Sequence, residues 1–205
     1  MTAHETDLAA FYDQEATARA GRDLDPERVR RRELFSRLLQ AEGRVRLLEI
    51  GTGPGLDASA FLRDGLSVTG VDLSAEHVRL AREAGVDAHV ASVLRLPFAD
   101  GSMDAGWTMS TLLHVTDADL DAALVEIARV LRPGAPMAVG LWRGEDTESH
   151  RVTDTIEPRR FFSLRSDERL RAALGRHGAV EEFDTWPGVA DGSCYQWCVL
   201  RLPGG

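Results

Sequence analysis

The sequence lacks lysine, has little cysteine and contains no long apolar run. All 24 basic residues are arginine, and 33 acidic residues bring the net charge to -9. This acidic balance would repel a phosphate backbone, so nucleic acid is not an expected partner. Cys194 and Cys198 provide neither a disulfide framework nor a four-ligand zinc set. No stretch approaches the ~20 apolar residues that span a bilayer, and the polar N-terminus carries no secretory signal. We therefore expect a cytoplasmic protein that does not associate with membranes.

Apolar runs typical of strands alternate with helical patterns in the middle of the chain. This rhythm predicts an α/β fold with a mainly parallel, twisted sheet and helices on both faces. We expect one domain over residues 1–205, because no linker interrupts the pattern. The predicted strands cover 45–50, 66–71, 86–90, 103–109 and 135–142, and the helices between them cover 56–63, 75–84 and 117–131.

Two regions flank this alternating core. Residues 1–42 indicate an N-terminal helical cap, in which Asp25 and Pro26 supply an N-cap and a first-turn proline. The stretch 143–162 has no clear period and many charges, so we expect a lid insertion that extends to about residue 165. A further helix is predicted from Ser166 to near Gly178, followed by closing strands at 180–183 and 194–200.

A glycine-rich loop lies directly between the first predicted strand and the helix that follows it. Its sequence is Glu49-Ile50-Gly51-Thr52-Gly53-Pro54-Gly55. Glycines permit a tight turn and the close approach of a ligand, and the helix N-terminus beyond them offers N–H groups. Asp72 ends the next predicted strand, where a carboxylate can accept hydrogen bonds from both hydroxyls of a ribose. The combination predicts a nucleoside-containing cofactor.

Two cofactor classes compete for this loop. One alternative is a nicotinamide-dependent oxidoreductase, which would bind a dinucleotide. The dinucleotide pattern G-x-G-x-x-G needs a third glycine where this chain has Leu56, so Leu56 disfavours this alternative. Glu49 places a negative charge beside the loop, which suits a cationic ligand better than a pyrophosphate. S-adenosylmethionine carries a sulfonium and an ammonium group, so it meets this condition. A non-catalytic cofactor-binding module remains a third interpretation.

The chain resembles the class I S-adenosylmethionine-dependent methyltransferases, in particular the small-molecule branch related to ubiquinone-type methyltransferases. The similarity lies in residues 48–55, 71–74, 96–105 and 131–134. It implies a Rossmann-like fold and S-adenosylmethionine as the cofactor. It also implies cofactor contacts by Tyr12, Glu49, Gly51, Gly53, Asp72, Leu73, His77, Ser92, Val93, Thr108 and Met109. At Ser92 the family commonly has Asp, so that adenine contact would be a hydroxyl or backbone bond.

The remaining candidate residues concern the methyl acceptor. His114 follows the fourth predicted strand and is the candidate catalytic residue, because imidazole can take a proton near neutral pH. It could instead brace the loop, since alignment alone can supply much of the rate. Arg159 and Arg160 are candidate substrate-binding residues, because a held guanidinium binds carboxylate or phosphate. The alternative is a surface pair bonded to Glu157 or Asp154.

These features together predict methyl transfer from S-adenosylmethionine to a small organic metabolite. The arginine pair favours an acidic acceptor, and a natural-product-like molecule fits the family branch. No carboxylate and histidine cluster stands out in the sequence, so we expect no metal.

Overall fold

A seven-stranded sheet forms the centre of the fold. The computed structural model describes residues 2–188 and 192–205. Its helices are α1 (Ala3–Ala20), α2 (Pro26–Ala41), α3 (Leu56–Arg63), α4 (Ala75–Glu83), α5 (Asp117–Val130) and α6 (Asp167–Gly175). Its strands are β1 (Arg46–Ile50), β2 (Ser67–Asp72), β3 (Asp87–Val90), β4 (Ala105–Met109), β5 (Pro136–Trp142), β6 (Thr147–His150), β7 (Phe161–Leu164), β8 (Ala179–Pro187) and β9 (Cys194–Arg201).

The sheet is mostly parallel, as the sequence predicted. Its strand order is β3-β2-β1-β4-β5-β9-β8. The neighbours from β3 to β5 pair in parallel, and β9 runs antiparallel between β5 and β8. The strand order reverses between β1 and β4. Ligands of open α/β sheets bind at such a switch point, beyond the carboxyl ends of the strands.

Side-chain caps begin the helices where the sequence indicated. Asp25 accepts a hydrogen bond from the backbone N–H of Glu27 at 2.8 Å, with a proline at the start of α2. Ser74 accepts from the backbone N–H of His77 at 3.0 Å, and Thr116 caps α5 in the same way. The predicted N-terminal helices are present as α1 and α2. In the described part of the chain, no helix has the length and apolar composition to cross a membrane.

Apolar layers cover both faces of the sheet. Successive side chains of β1 point to opposite faces, so Leu47 packs with α2, α3 and α4 while Leu48 packs with α5 and α6. Trp107 of β4 is fully buried, and its ring lies 5.6 Å from that of Phe35 and 5.0 Å from that of Phe61. Burial on both faces explains why the central strands appear in the sequence as continuous apolar runs.

Residues 143–165, which we call the roof segment, contain more regular structure than the sequence predicted. β6 and β7 pair antiparallel, with Ser149 opposite Phe162. All four residues of β6 are exposed, so no alternation of apolar and polar residues marked this strand. The sequence predicted an aperiodic lid insertion and missed this pair of strands; the lid role itself stays a prediction. β8 also extends well beyond the predicted 180–183. The sequence missed the added residues because they are largely exposed and carry no apolar pattern.

Candidate active site

A cavity of about 610 Å³ opens at the carboxyl ends of β1, β4 and β5. Residues of α1 and of the roof segment complete its lining. Among the residues predicted from the sequence, those on the cavity are Tyr12, Gly51, Gly53, Asp72, Leu73, His77, Val93, Met109, His114 and Arg160. The structure does not bring Glu49, Ser92, Thr108 or Arg159 to the cavity lining.

The glycine loop turns sharply between β1 and α3. Gly51 has a φ of 73° and Gly53 a φ of 53°, which is left-handed backbone that favours glycine. A Cβ atom at position 51 would lie 1.9 Å from Oγ1 of Thr111. That hydroxyl donates to the carbonyl oxygen of Ile50 at 3.1 Å, so it fixes the end of β1 against the end of β4. The glycines therefore let the two strand ends meet closely at the cavity.

The N–H groups of this loop are already engaged within the protein. Those of Gly51 and Thr52 donate to the carbonyl oxygen of Val71, at 2.8 and 3.0 Å. The Gly53 N–H donates to the Asp72 carboxylate at 2.8 Å, and that of Gly55 donates to the Thr52 carbonyl oxygen. A pyrophosphate is bound by such N–H groups when they are free. Their engagement argues against a pyrophosphate, and therefore against a dinucleotide, at this loop.

Asp72 lies at the end of β2 and lines the cavity. Burial alone would raise its pKa, but hydrogen bonds from His77, Ser74 and Gly53 outweigh that effect and lower the pKa. The carboxylate is therefore charged at neutral pH and can accept further hydrogen bonds. His77 Nδ1 lies 3.4 Å from one oxygen of Asp72, and His77 Nε2 is buried with no partner among the described residues. A bound ligand or an ordered water would supply the partner that this buried nitrogen lacks.

Glu49 and Thr108 lie beneath the cavity rather than on it. Glu49 is only 2% exposed and accepts a hydrogen bond from the Thr52 hydroxyl at 2.8 Å. Burial, together with the nearby Asp57, raises the pKa of Glu49 well above its ordinary value. The negative charge that the sequence suggested beside the loop is therefore weakened, because water is excluded from this carboxyl. Thr108 is 1% exposed, so its side chain faces the packed interior.

Ser92 also differs from its expected place. Its hydroxyl donates to the carboxylate of Glu5 in α1 and accepts from the backbone N–H of Leu94 at 3.0 Å. The neighbouring Val93 lies on the cavity, as does Leu73. Ser92 thus ties α1 to the loop after β3, and the apolar side chains beside it provide surface suited to an adenine ring.

Tyr12 and His114 form a linked pair between α1 and the roof segment. His114 Nδ1 lies 2.7 Å from the carbonyl oxygen of Phe161, which can only accept, so Nδ1 carries the hydrogen. Burial lowers the pKa of His114 to about 3, which leaves the ring neutral and Nε2 without a hydrogen. The Tyr12 hydroxyl, 2.7 Å away, therefore donates to Nε2. The basic lone pair of His114 is already occupied by Tyr12.

The two candidate arginines point to different surroundings. Arg160 lines the cavity and is paired with Asp154, and its guanidinium carbon lies 4.5 Å from the ring centre of Phe11. Arg159 pairs with Glu157 at 2.9 Å and its side chain is 44% exposed. Arg159 therefore matches the alternative interpretation, a surface arginine paired with Glu157. Of the two arginines, Arg160 is the one that lines the cavity.

Three cavity features escaped the sequence analysis. Glu5 lines the cavity and forms a capping box with Thr2, a local pattern that could have placed the start of α1. Arg28 lines the cavity and is held by Asp57 through Nε at 2.8 Å, a contact across 29 positions that no local pattern reveals. Tyr195 reaches the cavity from β9, which only the strand order of the folded sheet makes evident.

The described residues contain no group of three or more His, Cys, Asp or Glu side chains arranged to hold a metal ion. The expectation that the protein works without metal stays a prediction.

The comparisons with known proteins agree with this geometry. Residues 48–139 match a family model described as a methyltransferase domain. An O-methyltransferase of Aspergillus nomiae is 35% identical over 117 residues, which are 53% of this chain and 51% of that protein. The 27-O-demethylrifamycin SV methyltransferase of Amycolatopsis mediterranei is 30% identical over 139 residues, 63% of this chain and 48% of that protein. The matches thus span about half the length of these curated relatives.

A solved structure extends the similarity of fold to nearly the whole chain. It is the 1,6-didemethyltoxoflavin-N1-methyltransferase of Burkholderia thailandensis, with 1,6-didemethyltoxoflavin and S-adenosylhomocysteine bound. Its TM-score is 0.73 at 22% identity, and the match covers 99% of this chain and 92% of that one. The likeness at this identity concerns the fold.

The residues of the cavity fit S-adenosylmethionine. Asp72 would present a charged carboxylate to the ribose, and Leu73 and Val93 would offer apolar surface to the adenine. The N–H groups of the glycine loop are bonded to protein acceptors, so they do not form a pyrophosphate site. His77 adds an unpaired nitrogen at the same end. Residues 48–139 thus match a methyltransferase domain, and the chain has the Rossmann-like fold of class I S-adenosylmethionine-dependent methyltransferases.

Proposed function

We propose that this protein transfers a methyl group from S-adenosylmethionine to a small organic acceptor bound in the same cavity. One observation carries the proposal: a single cavity joins the glycine loop and Asp72 to Met109 and Trp142 at the ends of β4 and β5. A cofactor held at the first end and an acceptor at the second would share one enclosed space. Enclosure aligns reacting groups and keeps water away from them.

When bound, S-adenosylmethionine supplies a methyl group on a sulfonium sulfur, and transfer to an acceptor lone pair leaves the C–S electrons on sulfur. The chain's own residues bind, orient and exclude water. Asp72 holds the ribose, the glycine loop allows close approach, and Met109 adjoins the path between the two ends of the cavity. Tyr12 closes the cavity from α1. His114 does not take a proton directly from the acceptor, because its basic lone pair is engaged by Tyr12.

The acceptor is a small molecule on this proposal. The relatives name two such acceptors, 27-O-demethylrifamycin SV in one protein and 1,6-didemethyltoxoflavin in another. The cavity of about 610 Å³ has the volume of a small-molecule site. Arg160 offers little to an acidic acceptor, because Asp154 already balances its charge.

The proposal is tested by incubating the protein with S-adenosylmethionine labelled in the methyl group and a panel of hydroxylated and nitrogen-heterocyclic compounds. We expect label to move to at least one compound and S-adenosylhomocysteine to form in equal amount. Calorimetry in parallel should detect S-adenosylhomocysteine binding and no NAD binding. Binding of NAD in place of S-adenosylhomocysteine would support the oxidoreductase alternative. Binding of S-adenosylhomocysteine without transfer to any compound would favour the non-catalytic module.

A further inference from the structure

Three aromatic side chains line the cavity beyond the strand ends, and we call them the aromatic corner: Trp142, Trp186 and Tyr195. The ring centres of Trp142 and Tyr195 are 5.3 Å apart at an interplanar angle of 84°. Those of Trp186 and Tyr195 are 4.9 Å apart at 35°. Both tryptophans remain partly exposed, so ring surface remains available to a ligand.

Two glycines fix the rings of this corner against the backbone. A Cβ atom at Gly140 would lie 2.7 Å from the Tyr195 ring and 2.4 Å from the Met109 sulfur. A Cβ atom at Gly188 would lie 2.3 Å from the Trp142 ring. Real Cβ atoms do not approach other atoms so closely, so both positions require glycine for this packing. The corner is therefore held in place before any ligand arrives.

A pair of hydroxyl groups stands at the polar edge of the corner. Ser110 Oγ lies 2.9 Å from the Tyr195 hydroxyl. Ser110 directly follows β4 and has a φ of 57°, a left-handed conformation that serine rarely adopts. Strain of this kind concentrates at binding and catalytic sites, where the surrounding structure maintains it. Here it aims the serine hydroxyl at Tyr195.

The hydroxyl pair has hydrogen-bonding capacity to spare. Two hydroxyls carry two hydrogens, and their mutual bond uses one of them. The Tyr195 hydroxyl also lies 3.9 Å from the Met109 sulfur, and a thioether is a weak acceptor. Burial raises the pKa of Tyr195 and the Arg28 charge opposes that shift, so the phenol stays protonated at neutral pH. An oxygen atom of a ligand would be a stronger partner for the second hydrogen.

Arg28, whose charge acts on Tyr195, is not free to recognise an acid. Arg28 lines the cavity, but its Nε and Nη2 both donate to Asp57, at 2.8 and 2.6 Å. Asp57 is completely buried and its charge offsets that of the guanidinium. A neutral polar group on the ligand therefore suits this end of the cavity better than a carboxylate.

We infer that the aromatic corner and the Ser110–Tyr195 pair form the acceptor subsite, and that they select a planar aromatic molecule with a hydroxyl group on the edge that faces the pair. This inference rests on the proposed function and names its substrate class. The tryptophan faces stack on the aromatic ring, and the hydroxyl pair fixes the ring's oxygen near Met109, on the path from the cofactor end of the cavity. A saturated, non-planar alcohol would keep the contact with the hydroxyl pair but lose the stacking on the tryptophan faces.

The test compares naphthol with its saturated counterpart decalol, which has the same skeleton and the same hydroxyl position. Both are titrated by calorimetry into the full chain saturated with S-adenosylhomocysteine. We expect naphthol to bind about tenfold more tightly than decalol, because stacking on the corner is lost with planarity. Trp186→Leu should reduce this preference to about threefold or less.

Hydroxyl deletions test the polar edge separately. Tyr195→Phe keeps the ring, and Ser110→Gly suits the left-handed backbone; each should weaken naphthol about threefold to tenfold. Ser102→Gly, at a half-buried position outside the cavity lining, is the matched control and should leave naphthol binding unchanged. Thermal melting identifies any variant that fails to fold, and the other variants then decide the question.

Two results would overturn the subsite: equal binding of naphthol and decalol, or unchanged naphthol binding in Trp186→Leu, Tyr195→Phe and Ser110→Gly. The proposed function would still stand in either case if the protein binds S-adenosylhomocysteine. Failure of the folded protein to bind S-adenosylhomocysteine would overturn the proposed function and, with it, the acceptor subsite.

Discussion

The Tyr12 hydroxyl donates a hydrogen bond to Nε2 of His114 over 2.7 Å, and the opposite ring nitrogen donates to the Phe161 carbonyl oxygen. The histidine thereby connects α1, which carries Tyr12, to the roof segment, which carries Phe161. Both of its nitrogens have protein partners, and neither is left to accept a proton from a substrate. We infer that His114 positions Tyr12 over the cavity instead of acting as a general base.

His114→Gln should therefore lower turnover by less than about 100-fold, the low end of what a general base contributes. Tyr12→Phe should cause a similar loss, and the double variant should be no slower than the slower single variant, because both remove the same contact. Turnover is measured with an acceptor found in the methylation panel, and His177→Gln, outside the cavity lining, serves as the control. A loss of several thousandfold with intact cofactor binding would show that His114 is the base.

The buried neutral state of His114 also predicts a pH dependence of stability. Its pKa is about 3 in the folded protein, against an ordinary value near 6.5 in the unfolded chain. Between these values the unfolded state binds a proton that the folded state refuses, so stability falls as the pH falls from about 6.5 towards 3. The slope attributable to this group is about 1.4 kcal/mol per pH unit.

Urea unfolding at a series of pH values checks this expectation. The free energy of unfolding of the wild type should fall more steeply below pH 6 than that of His114→Gln, while the two curves run parallel above pH 7. Parallel curves throughout would mean that His114 takes up its proton in the folded protein too.

Asp72→Ala should weaken S-adenosylhomocysteine binding by about 1.5–3 kcal/mol if the carboxylate accepts both ribose hydroxyls. Asp72 also accepts the N–H groups of Gly53 and Ser74, so Asp72→Asn, which keeps one acceptor oxygen, should be affected less. Calorimetry measures both, and Asp100→Ala at an exposed position is the control. The assignment fails if Asp72→Ala binds as tightly as the wild type, or if NAD binds instead.

The sequence predicted most of the fold because its determinants are local. Ser74 and Thr116 each precede an apolar helical pattern, and such caps can be recognised without a structure. β6 was missed because Thr147–His150 is exposed on every residue and carries no hydrophobic period. Strands of that kind depend on their partner, here β7, and not on their own composition.

The site was predicted in part, for a related reason. Gly51, Gly53 and Asp72 belong to one strand–loop–helix–strand unit, so their proximity followed from the motif. Arg28 and Tyr195 come from α2 and β9, and only the packing of the folded chain brings them to the cavity. The displacement of Ser92 from the cavity depends on its bond to Glu5 in α1, a contact across 87 positions.

Turnover should not depend on a divalent metal. The described residues offer no cluster of three or more potential ligands, and the sulfonium of the cofactor already activates the methyl group. Turnover measured after dialysis against a chelator should equal that of untreated protein, with addition of magnesium as the paired arm. A strong loss in chelator that magnesium restores would contradict this prediction.

Arg159 and Arg160 form a matched pair for testing the roof segment. Arg160 joins three elements: it pairs with Asp154, and its guanidinium lies 4.5 Å from the Phe11 ring in α1 and 5.4 Å from the Phe162 ring in β7. Such cation–π contacts are worth about 0.5–2 kcal/mol each. Arg159 makes a surface pair that exposed charges screen readily.

Arg160→Ala should therefore raise KM for the acceptor about fivefold or more, because the wall between α1 and the roof segment loosens, and it should leave S-adenosylhomocysteine affinity within about twofold. Arg159→Ala should leave both quantities unchanged. Limited proteolysis gives a second measurement: residues 143–162 should be cut more slowly when cofactor product and acceptor are bound, and Arg160→Ala should lose that protection while Arg159→Ala keeps it. Equal KM values in the two variants, or equal cleavage with and without ligands, would contradict this prediction. The roof segment would then not close over the acceptor, and the strand ends below it would select the acceptor.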